Sequence, residues 1–166
     1  GEPYSGFLYA GLMIDRAGNP KVLEFNCRLG DPETQPILLR LKSDLYELLE
    51  AAMQGRLDKT EVEWDRRAAL GVVLAAANYP DTPRKGDVIE GLPASGGEDY
   101  HVFHAGTAIE NGRLVTAGGR VLCVTALGDS IKMAKTRAYQ IADGIRFAGM
   151  QMRRDIGHRA LNAGGR

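Results

Sequence analysis

Hydrophobic positions near the start of the chain form two extended runs that are separated by a turn. Residues 6–14 are almost all apolar, which predicts a buried strand. Residues 15–20 include Asp, Gly, Asn and Pro, which are typical of a turn, and residues 21–27 follow as the returning strand. The pattern therefore predicts a β-hairpin.

Two helices are predicted after this hairpin. Pro36 favours a short helix as far as Leu41, because proline is tolerated in the first turn of a helix. Asp44 and Glu47 have the spacing of a capping box, and an apolar stripe follows them until Gly55. The stripe indicates a second helix with one apolar face.

The chain changes character after a charged segment, residues 56–67, where we place a boundary. Residues 68–77 form a continuous run of small apolar residues, which predicts a buried strand. Glycine and proline then separate short β segments. The turn sequence Glu-Asn-Gly at 110–112 lies between two apolar runs, 102–109 and 114–115, and predicts a hairpin.

One more strand and a long helix are predicted near the end of the chain. Residues 120–126 form the strand, and Asp129 or Ser130 caps the helix that follows. Residues 151–157 predict a last strand. One face of the helix is apolar and consists of Ile131, Ala134, Ala138, Ile141, Ala142 and Ile145. The whole pattern predicts an α+β fold, in which a two-stranded part with helices precedes a compact β-rich domain.

Composition excludes several classes of partner. Lys+Arg and Asp+Glu both number 21, so a nucleic acid or an anionic membrane surface is not expected as the main partner. No apolar run approaches the roughly 20 residues that span a bilayer. The two cysteines, Cys27 and Cys123, have no metal-ligand or redox spacing, which predicts a reduced, cytoplasmic setting.

Candidate chemistry lies on the strand that returns from the first turn. Side chains alternate between the two faces of a strand, so Glu24, Asn26 and Arg28 should share one face. A carboxylate and an amide oxygen at this spacing can converge on Mg²⁺, whose ligand set is completed by water and phosphate oxygens. The arginine can then neutralise a phosphoryl or carboxylate oxygen. The opposite face is apolar and consists of Leu23, Phe25, Cys27 and Leu29, which predicts that Cys27 belongs to the core.

A second interpretation of the same alternation is a strand whose polar face is only solvated. Periodicity alone favours this interpretation. Residues 30–33, Gly-Asp-Pro-Glu, add a flexible turn and two acids directly after the polar positions. Asp31 followed by Pro32 is also a helix-start signal. The residue pattern by itself leaves both interpretations open.

Residues 22–35, Val-Leu-Glu-Phe-Asn-Cys-Arg-Leu-Gly-Asp-Pro-Glu-Thr-Gln, resemble the signature of the glycinamide ribonucleotide synthetase family. The part from Arg28 to Gln35 resembles the family's own motif, whereas Glu-x-Asn-x-Arg resembles the metal-and-phosphate strand of ATP-grasp ligases in general. Similar segments follow in the expected order over nearly the whole chain, including 118–122 and 153–157.

The resemblance implies an organisation and a reaction. Residues 1–60 would be the C-terminal part of an ATP-grasp catalytic domain, and residues 61–166 a β-rich C-terminal domain. Members of the family use ATP to join glycine to 5-phosphoribosylamine through a glycyl phosphate, which gives glycinamide ribonucleotide in de novo purine synthesis. The implied protein is a C–N ligase that uses Mg²⁺ or Mn²⁺ and is cytoplasmic, monomeric and monofunctional. This chain would be a fragment without the N-terminal portion and inactive alone.

The resemblance also implies roles for individual residues. Glu24 and Asn26 would hold Mg²⁺ or Mn²⁺ on the ATP phosphates, and Arg28 would stabilise charge on the transferred phosphoryl group. Asp31 is a second catalytic candidate. Asp31 and Glu33 would orient the ammonium of glycine or the sugar, although helix capping suits Asp31 equally well.

Gly119 and Arg120 are candidates for binding the ribose 5-phosphate through backbone amides and a guanidinium. A glycine-rich start of a strand with a surface arginine is the alternative interpretation. The first predicted strand has no acid before Asp15, so one metal ion is expected rather than two. Two other functions stay open: a different ATP-grasp carboxylate–amine ligase of purine synthesis, and a non-catalytic β-rich module.

Overall fold

The computed structural model describes residues 1–2, 4–94 and 96–163, without the side chains of residues 162 and 163. Two compact units make up the chain. The first unit contains Gly1–Thr34 and Leu41–Asp65, and the second contains Gln35–Arg40 and the residues from Arg66 onward. The predicted division between residues 60 and 61 stays a prediction.

The first unit contains the hairpin that the sequence predicts. Strands β1 (Tyr9–Ile14) and β2 (Pro20–Asn26) are antiparallel and form a two-stranded sheet. The Asp15 carboxylate closes the turn by accepting hydrogen bonds from the backbone N–H groups of Ala17 and Asn19, both at 2.9 Å. Bonds donated by Asn19 lower the pKa of Asp15. The predicted turn is therefore confirmed.

The burial expected for this hairpin is wrong. Leu12, Met13 and Ile14 are 49%, 55% and 56% exposed, so β1 is not a buried strand. Cys27, for which the alternation predicts a core position, is exposed and lies beyond the end of β2. The physical reason is that a two-stranded sheet lacks further strands and layers to cover its faces.

Two short α-helices follow the hairpin, close to their predicted positions. Helix α1 comprises Thr34–Arg40 and helix α2 comprises Leu45–Met53. Asp44 is the N-cap of α2, and its side chain accepts a hydrogen bond from the N–H of Tyr46 at 2.7 Å. A 3₁₀ turn, Leu57–Lys59, comes after α2.

The second unit is built on a three-stranded antiparallel sheet. Strand β7 (Arg120–Gly128) lies in the centre, between β3 (Ala68–Ala75) and β4 (Tyr100–His104). Most of β7 is fully buried. The core of this unit is therefore organised around one central strand.

A second hairpin lies between β4 and β7 in the sequence. Strands β5 (Thr107–Glu110) and β6 (Arg113–Thr116) pair antiparallel, and Asn111 and Gly112 in the turn have positive φ angles of 50° and 73°. The predicted turn is confirmed. The expectation that residues 102–109 form one continuous strand is wrong, because this part of the chain is divided between β4 and β5.

Helix α3 (Ile131–Ala142) covers the sheet with small side chains. Ser130 is its N-cap and accepts a hydrogen bond from the N–H of Met133 at 3.3 Å, which decides between the two predicted caps. The predicted apolar face is confirmed, since Ala134, Ala138 and Ala142 are fully buried. Alanines on this face allow the helix to approach the sheet closely.

The last strand predicted, over residues 151–157, is wrong. Only Gln151 forms a bridge, with Ala75, and helix α4 (His158–Ala163) then follows without having been predicted. The backbone between Gln151 and α4 forms hydrogen bonds with a side chain and not with a neighbouring strand. The hydroxyl of Tyr139 donates to the carbonyl of Arg153 at 2.6 Å and accepts from the N–H of Ile156 at 3.2 Å.

The architecture is α+β, as predicted, with antiparallel sheets and few helices. Among the residues described, no helix is both long and apolar enough to cross a membrane.

Candidate functional site

The two proposed metal ligands occupy neighbouring positions on one strand. Glu24 and Asn26 are two residues apart on β2, which places their backbones about 7 Å apart on the same face. Gly11 lies opposite Glu24, and a Cβ at Gly11 would be 3.0 Å from Glu24 Cγ. The glycine therefore leaves room for the glutamate side chain.

Asn26 carries a buried polar atom that is unpaired among the residues that the structure describes. Its Nδ2 atom makes no hydrogen bond within the described part of the chain, although buried polar atoms are usually paired. The oxygen and nitrogen of an amide can exchange places by a flip of the group. The flipped amide would present Oδ1 at this position, which is the atom that binds a cation.

This pair of donors fits a magnesium ion as a partial ligand set. Mg²⁺ is usually bound by one or two carboxylates together with water and substrate phosphates, and Glu24 with Asn26 supplies two oxygens of this kind. The described residues contain no group of three or more His, Cys, Asp and Glu that could hold a metal ion. The chemistry of the pair therefore suits a shared, phosphate-dependent site.

Arg28 lies beyond the end of the strand, so the expectation that it shares the face of Glu24 stays a prediction. Strand β2 ends at Asn26, so the alternation no longer determines the direction of Arg28. Its Nη1 donates to the carbonyl of Leu29 at 3.0 Å, and the side chain is otherwise exposed. The exposed guanidinium is available to an anionic ligand.

The exposed thiol of Cys27 lies between these residues and next to Tyr4. Loss of contact with water raises the pKa of the Tyr4 phenol, and the neighbouring Cys27 raises it further. The phenol donates a hydrogen bond to the carbonyl of Phe7 at 2.7 Å. No local pattern in the sequence predicts this contact between positions 4 and 27.

The acids after the strand lie on a compact turn. Gly30 is buried beneath the side chain of Glu33, and its carbonyl accepts hydrogen bonds from the N–H (3.0 Å) and the hydroxyl of Thr34. Asp31 is exposed. All five candidates from Glu24 to Glu33 thus belong to one unit and lie within ten residues of the sequence.

The remaining candidates, Gly119 and Arg120, belong to the second unit. The carbonyl of Gly119 accepts a hydrogen bond from the N–H of Ala76 at 2.8 Å, and a Cβ at Gly119 would be 2.6 Å from Tyr79 Cδ2. Arg120 is exposed at the start of β7. Close packing on Tyr79 therefore requires glycine at position 119, whatever else this turn binds.

A small open cavity in the second unit was not anticipated from the sequence. Its volume is about 280 Å³, and its polar lining comes from His101 and His104. His104 Nδ1 lies 3.2 Å from Thr107 Oγ1. The rest of the lining is Leu92, Pro93, Gly96 and Val102.

Two domain descriptions of one family match the chain. "Phosphoribosylglycinamide synthetase, C domain" matches residues 69–159, and "Phosphoribosylglycinamide synthetase, ATP-grasp (A) domain" matches residues 1–34. The phosphoribosylamine–glycine ligase of Ralstonia nicotianae is 62% identical over 97% of this chain and 38% of its own length. The ligase of Vibrio cholerae is 59% identical over the same shares. The chain thus spans 38% of the length of these curated relatives.

One solved structure of the same ligase is similar to this chain, and a second structure shares its fold. The phosphoribosylamine–glycine ligase of Thermotoga maritima has a TM-score of 0.71 and 40% identity over 89% of this chain and 36% of that one. The biotin carboxylase domain of 2-oxoglutarate carboxylase from Hydrogenobacter thermophilus has a TM-score of 0.60 at 15% identity, over 86% of this chain and 32% of that one. The second similarity shows the ATP-grasp-type fold alone. Because the C-domain description covers more than half of the residues, the chain belongs to the phosphoribosylglycinamide synthetase family.

Proposed function

We propose that this chain is part of a phosphoribosylamine–glycine ligase, which uses ATP to join glycine to 5-phosphoribosylamine. The observation that carries the proposal is 62% identity to such a ligase across 97% of the chain. The geometry of the Glu24 and Asn26 pair supports it, because the Asn26 amide has a buried atom for which the described residues provide no hydrogen-bond partner. The products are glycinamide ribonucleotide, ADP and phosphate.

In this proposal Glu24, with a carboxylate, and Asn26, with an amide oxygen, would hold a divalent cation, Mg²⁺ or Mn²⁺, on β2. The cation would supply positive charge that neutralises the phosphates of ATP. The glycine carboxylate attacks the γ-phosphorus, ADP leaves, and glycyl phosphate forms. Arg28 stabilises the negative charge of the transferred group through its exposed guanidinium.

The second half of the reaction is amide formation. The amine of 5-phosphoribosylamine attacks the acyl carbon of glycyl phosphate, phosphate leaves, and the amine loses a proton. Asp31 and Glu33 are proposed to orient the ammonium of glycine or the sugar. Gly119 and Arg120 are proposed to bind the ribose 5-phosphate, which suits the exposed guanidinium of Arg120.

The proposal includes the organisation expected from the sequence. Residues 1–60 belong to the ATP-grasp domain and residues 61–166 form the C-terminal domain, while the N-terminal portion of the ligase is supplied by sequence that this chain lacks. The proposed enzyme is cytoplasmic and monomeric. The 166-residue chain alone is expected to bind ATP weakly and to be inactive.

A chimaera tests the proposed reaction. The matching 38% of the Ralstonia nicotianae ligase is replaced by this chain, and ADP release is measured with 5-phosphoribosylamine and either glycine, alanine or serine. Turnover that depends on glycine and on 5-phosphoribosylamine supports the proposal. Turnover only with a different acid or amine would favour another ATP-grasp ligase, and a folded chimaera without any turnover would favour a non-catalytic module.

A further inference from the structure

Gly71 lies in the interior of a strand, β3, where a glycine is unusual. Glycine weakens the interior of a strand and often marks a place that another part of the structure approaches closely. A Cβ at position 71 would lie 3.2 Å from Cys123 Sγ, 3.3 Å from Thr125 Oγ1 and 3.4 Å from Pro36 Cγ. Side chains of β7 and of α1 therefore already surround the space that a side chain at this position would need.

The two faces of β3 have different neighbours. Leu70, Val72 and Leu74 are buried in the cluster that includes the alanines of α3. Side chains alternate along a strand, so position 71 lies on the opposite face, where Pro36 of α1 is its neighbour. The contact of α1 with β3 therefore depends on this second face and not on the core under α3.

Of the groups around Gly71, α1 is the one that can move. Cys123 and Thr125 lie on the central strand of the sheet and are 2% and 0% exposed, so close packing fixes their side chains. By contrast, all seven residues of α1 are described and none of them is buried. A methyl group added at position 71 should therefore displace α1 and not β7.

The start of α1 is bonded to the turn that carries the acidic candidates. The helix begins at Thr34, whose N–H (3.0 Å) and hydroxyl both donate to the carbonyl of Gly30. Asp31 and Glu33 lie inside the loop that these bonds close. The rest of the helix, Gln35–Arg40, belongs to the second unit. A displacement of the helix should therefore reach the two acids along its own backbone.

We propose that Gly71 is a positioning residue for Asp31 and Glu33, because its missing side chain lets Pro36 seat α1 close to β3. This inference rests on the proposed function, in which the two acids orient the ammonium of glycine or the sugar. Gly71 touches no substrate in this role and acts only through α1. Binding of glycine should therefore depend on a residue in the sheet of the second unit.

Kinetics of the chimaera test this role. Gly71→Ala is compared with Val72→Ala, at the adjacent residue of the same strand, which is buried in the cluster with α3. Gly71→Ala should raise the KM for glycine about fivefold or more and leave the KM for ATP within about twofold, because small displacements of positioning groups have large effects. Val72→Ala should destabilise the second unit by leaving a cavity, yet both KM values should stay within about twofold. An unchanged KM for glycine in Gly71→Ala, or an equal rise in the two variants, would overturn the proposal.

Pro36→Ala tests the same contact from the side of α1. Pro36 is only partly buried and lies in the first turn of the helix, so alanine there should leave the chain folded. This variant should also raise the KM for glycine selectively, because the ring that seats the helix is gone. The double variant should be no worse than the worse of the two single variants, since both changes disturb one contact. Effects that multiply would contradict a route through Pro36.

Hydrogen exchange of the full 166-residue chain gives a readout that does not depend on activity. The N–H of Thr34 is bonded to the carbonyl of Gly30, so its exchange, followed by NMR, reports whether the turn stays closed. Gly71→Ala should speed this exchange about threefold or more, as expected for a weakened hydrogen bond, whereas Val72→Ala should leave it within about twofold. Equal exchange in Gly71→Ala and in the original chain would overturn the proposal.

The outcomes separate the positioning role from the reaction. An active chimaera in which Gly71→Ala leaves the KM for glycine unchanged would leave the proposed function in place and overturn the inference. A folded chimaera without turnover would contradict the proposed function, and with it the role of Gly71 toward glycine, even where exchange at Thr34 shows that Gly71 keeps the turn closed.

Discussion

The side chain of Glu33 folds back over the backbone of Gly30, so that a Cβ at position 30 would overlap Glu33 Oε2. Gly30 is buried, whereas Glu33 is exposed. A substitution at Gly30 should therefore move the carboxylate of Glu33 while the turn remains folded.

Gly30→Ala in the chimaera is expected to raise the KM for glycine about tenfold or more, because a hydrogen bond to a charged group contributes roughly 1.5–3 kcal/mol. The KM for ATP should change little, since Glu33 is not a proposed ligand of the nucleotide. Steady-state kinetics with each substrate varied in turn measures both constants.

Glu33→Gln is the comparison variant. It should also raise the KM for glycine while the KM for ATP changes little. The double variant should be no worse than either single variant, because both changes remove one interaction. An unchanged KM for glycine in both single variants would remove Glu33 from the substrate site.

Glu24→Gln is expected to lower kcat/KM of the chimaera by about 100-fold or more, because the charged donor for the cation becomes a neutral amide. Higher Mg²⁺ or Mn²⁺ concentrations should recover part of the loss. Glu61→Gln is the matched control, since Glu61 is an exposed acid of the same unit with no proposed role. Equal kinetics in the two variants would show that the face of Glu24 is only solvated.

Gly119→Ala is expected to destabilise the second unit by about 1–3 kcal/mol, the usual cost of overpacking. The added Cβ would lie 2.6 Å from Tyr79 Cδ2 and 3.1 Å from Pro83 Cγ. Urea unfolding followed by circular dichroism measures the loss. In the background of Tyr79→Ala the same substitution should cost much less, because the ring that it overlaps is gone. A cost independent of Tyr79 would contradict this packing.

Local signals in the sequence were sufficient for much of the fold. Asn111 and Gly112 adopt the positive φ angles that their turn requires, and Ser130 caps α3 through its own side chain. Asp44 caps α2 in the same way. In each case the residues that determine the local conformation lie within three positions of the turn or the helix start that they form.

The errors arose where distant residues decide the conformation. The end of the chain bonds to the hydroxyl of Tyr139, and no local pattern over residues 151–157 encodes that contact. Burial of β1 depends on layers that the apolar run of residues 6–14 does not itself contain. Alternation placed Glu24 and Asn26 on one face of β2, but Arg28 lies past the point where the strand ends.

The hydroxyl of Tyr139 makes the stability of the second unit depend on pH in the alkaline range. Burial raises the pKa of Tyr139 above its ordinary value of 10.0, because the phenolate would lose hydration. A group whose pKa is raised on folding stabilises the folded state fully below its unfolded pKa. This contribution is therefore present up to about pH 10 and lost as the pH rises through the higher folded value.

Tyr139→Phe is expected to cost about 1–3 kcal/mol at pH 7, because the bonds to the carbonyl of Arg153 and from the N–H of Ile156 are both lost. The difference between the original protein and the variant should shrink above pH 10, where the phenol begins to ionise in the unfolded chain. Urea unfolding at pH 7, 9 and 11 measures it. Tyr46→Phe is the control, because it removes a tyrosine hydroxyl at a residue that is 70% exposed. This variant should leave the free energy of unfolding unchanged. A Tyr139→Phe difference that stays constant from pH 7 to pH 11 would contradict the buried phenol as the source of the dependence.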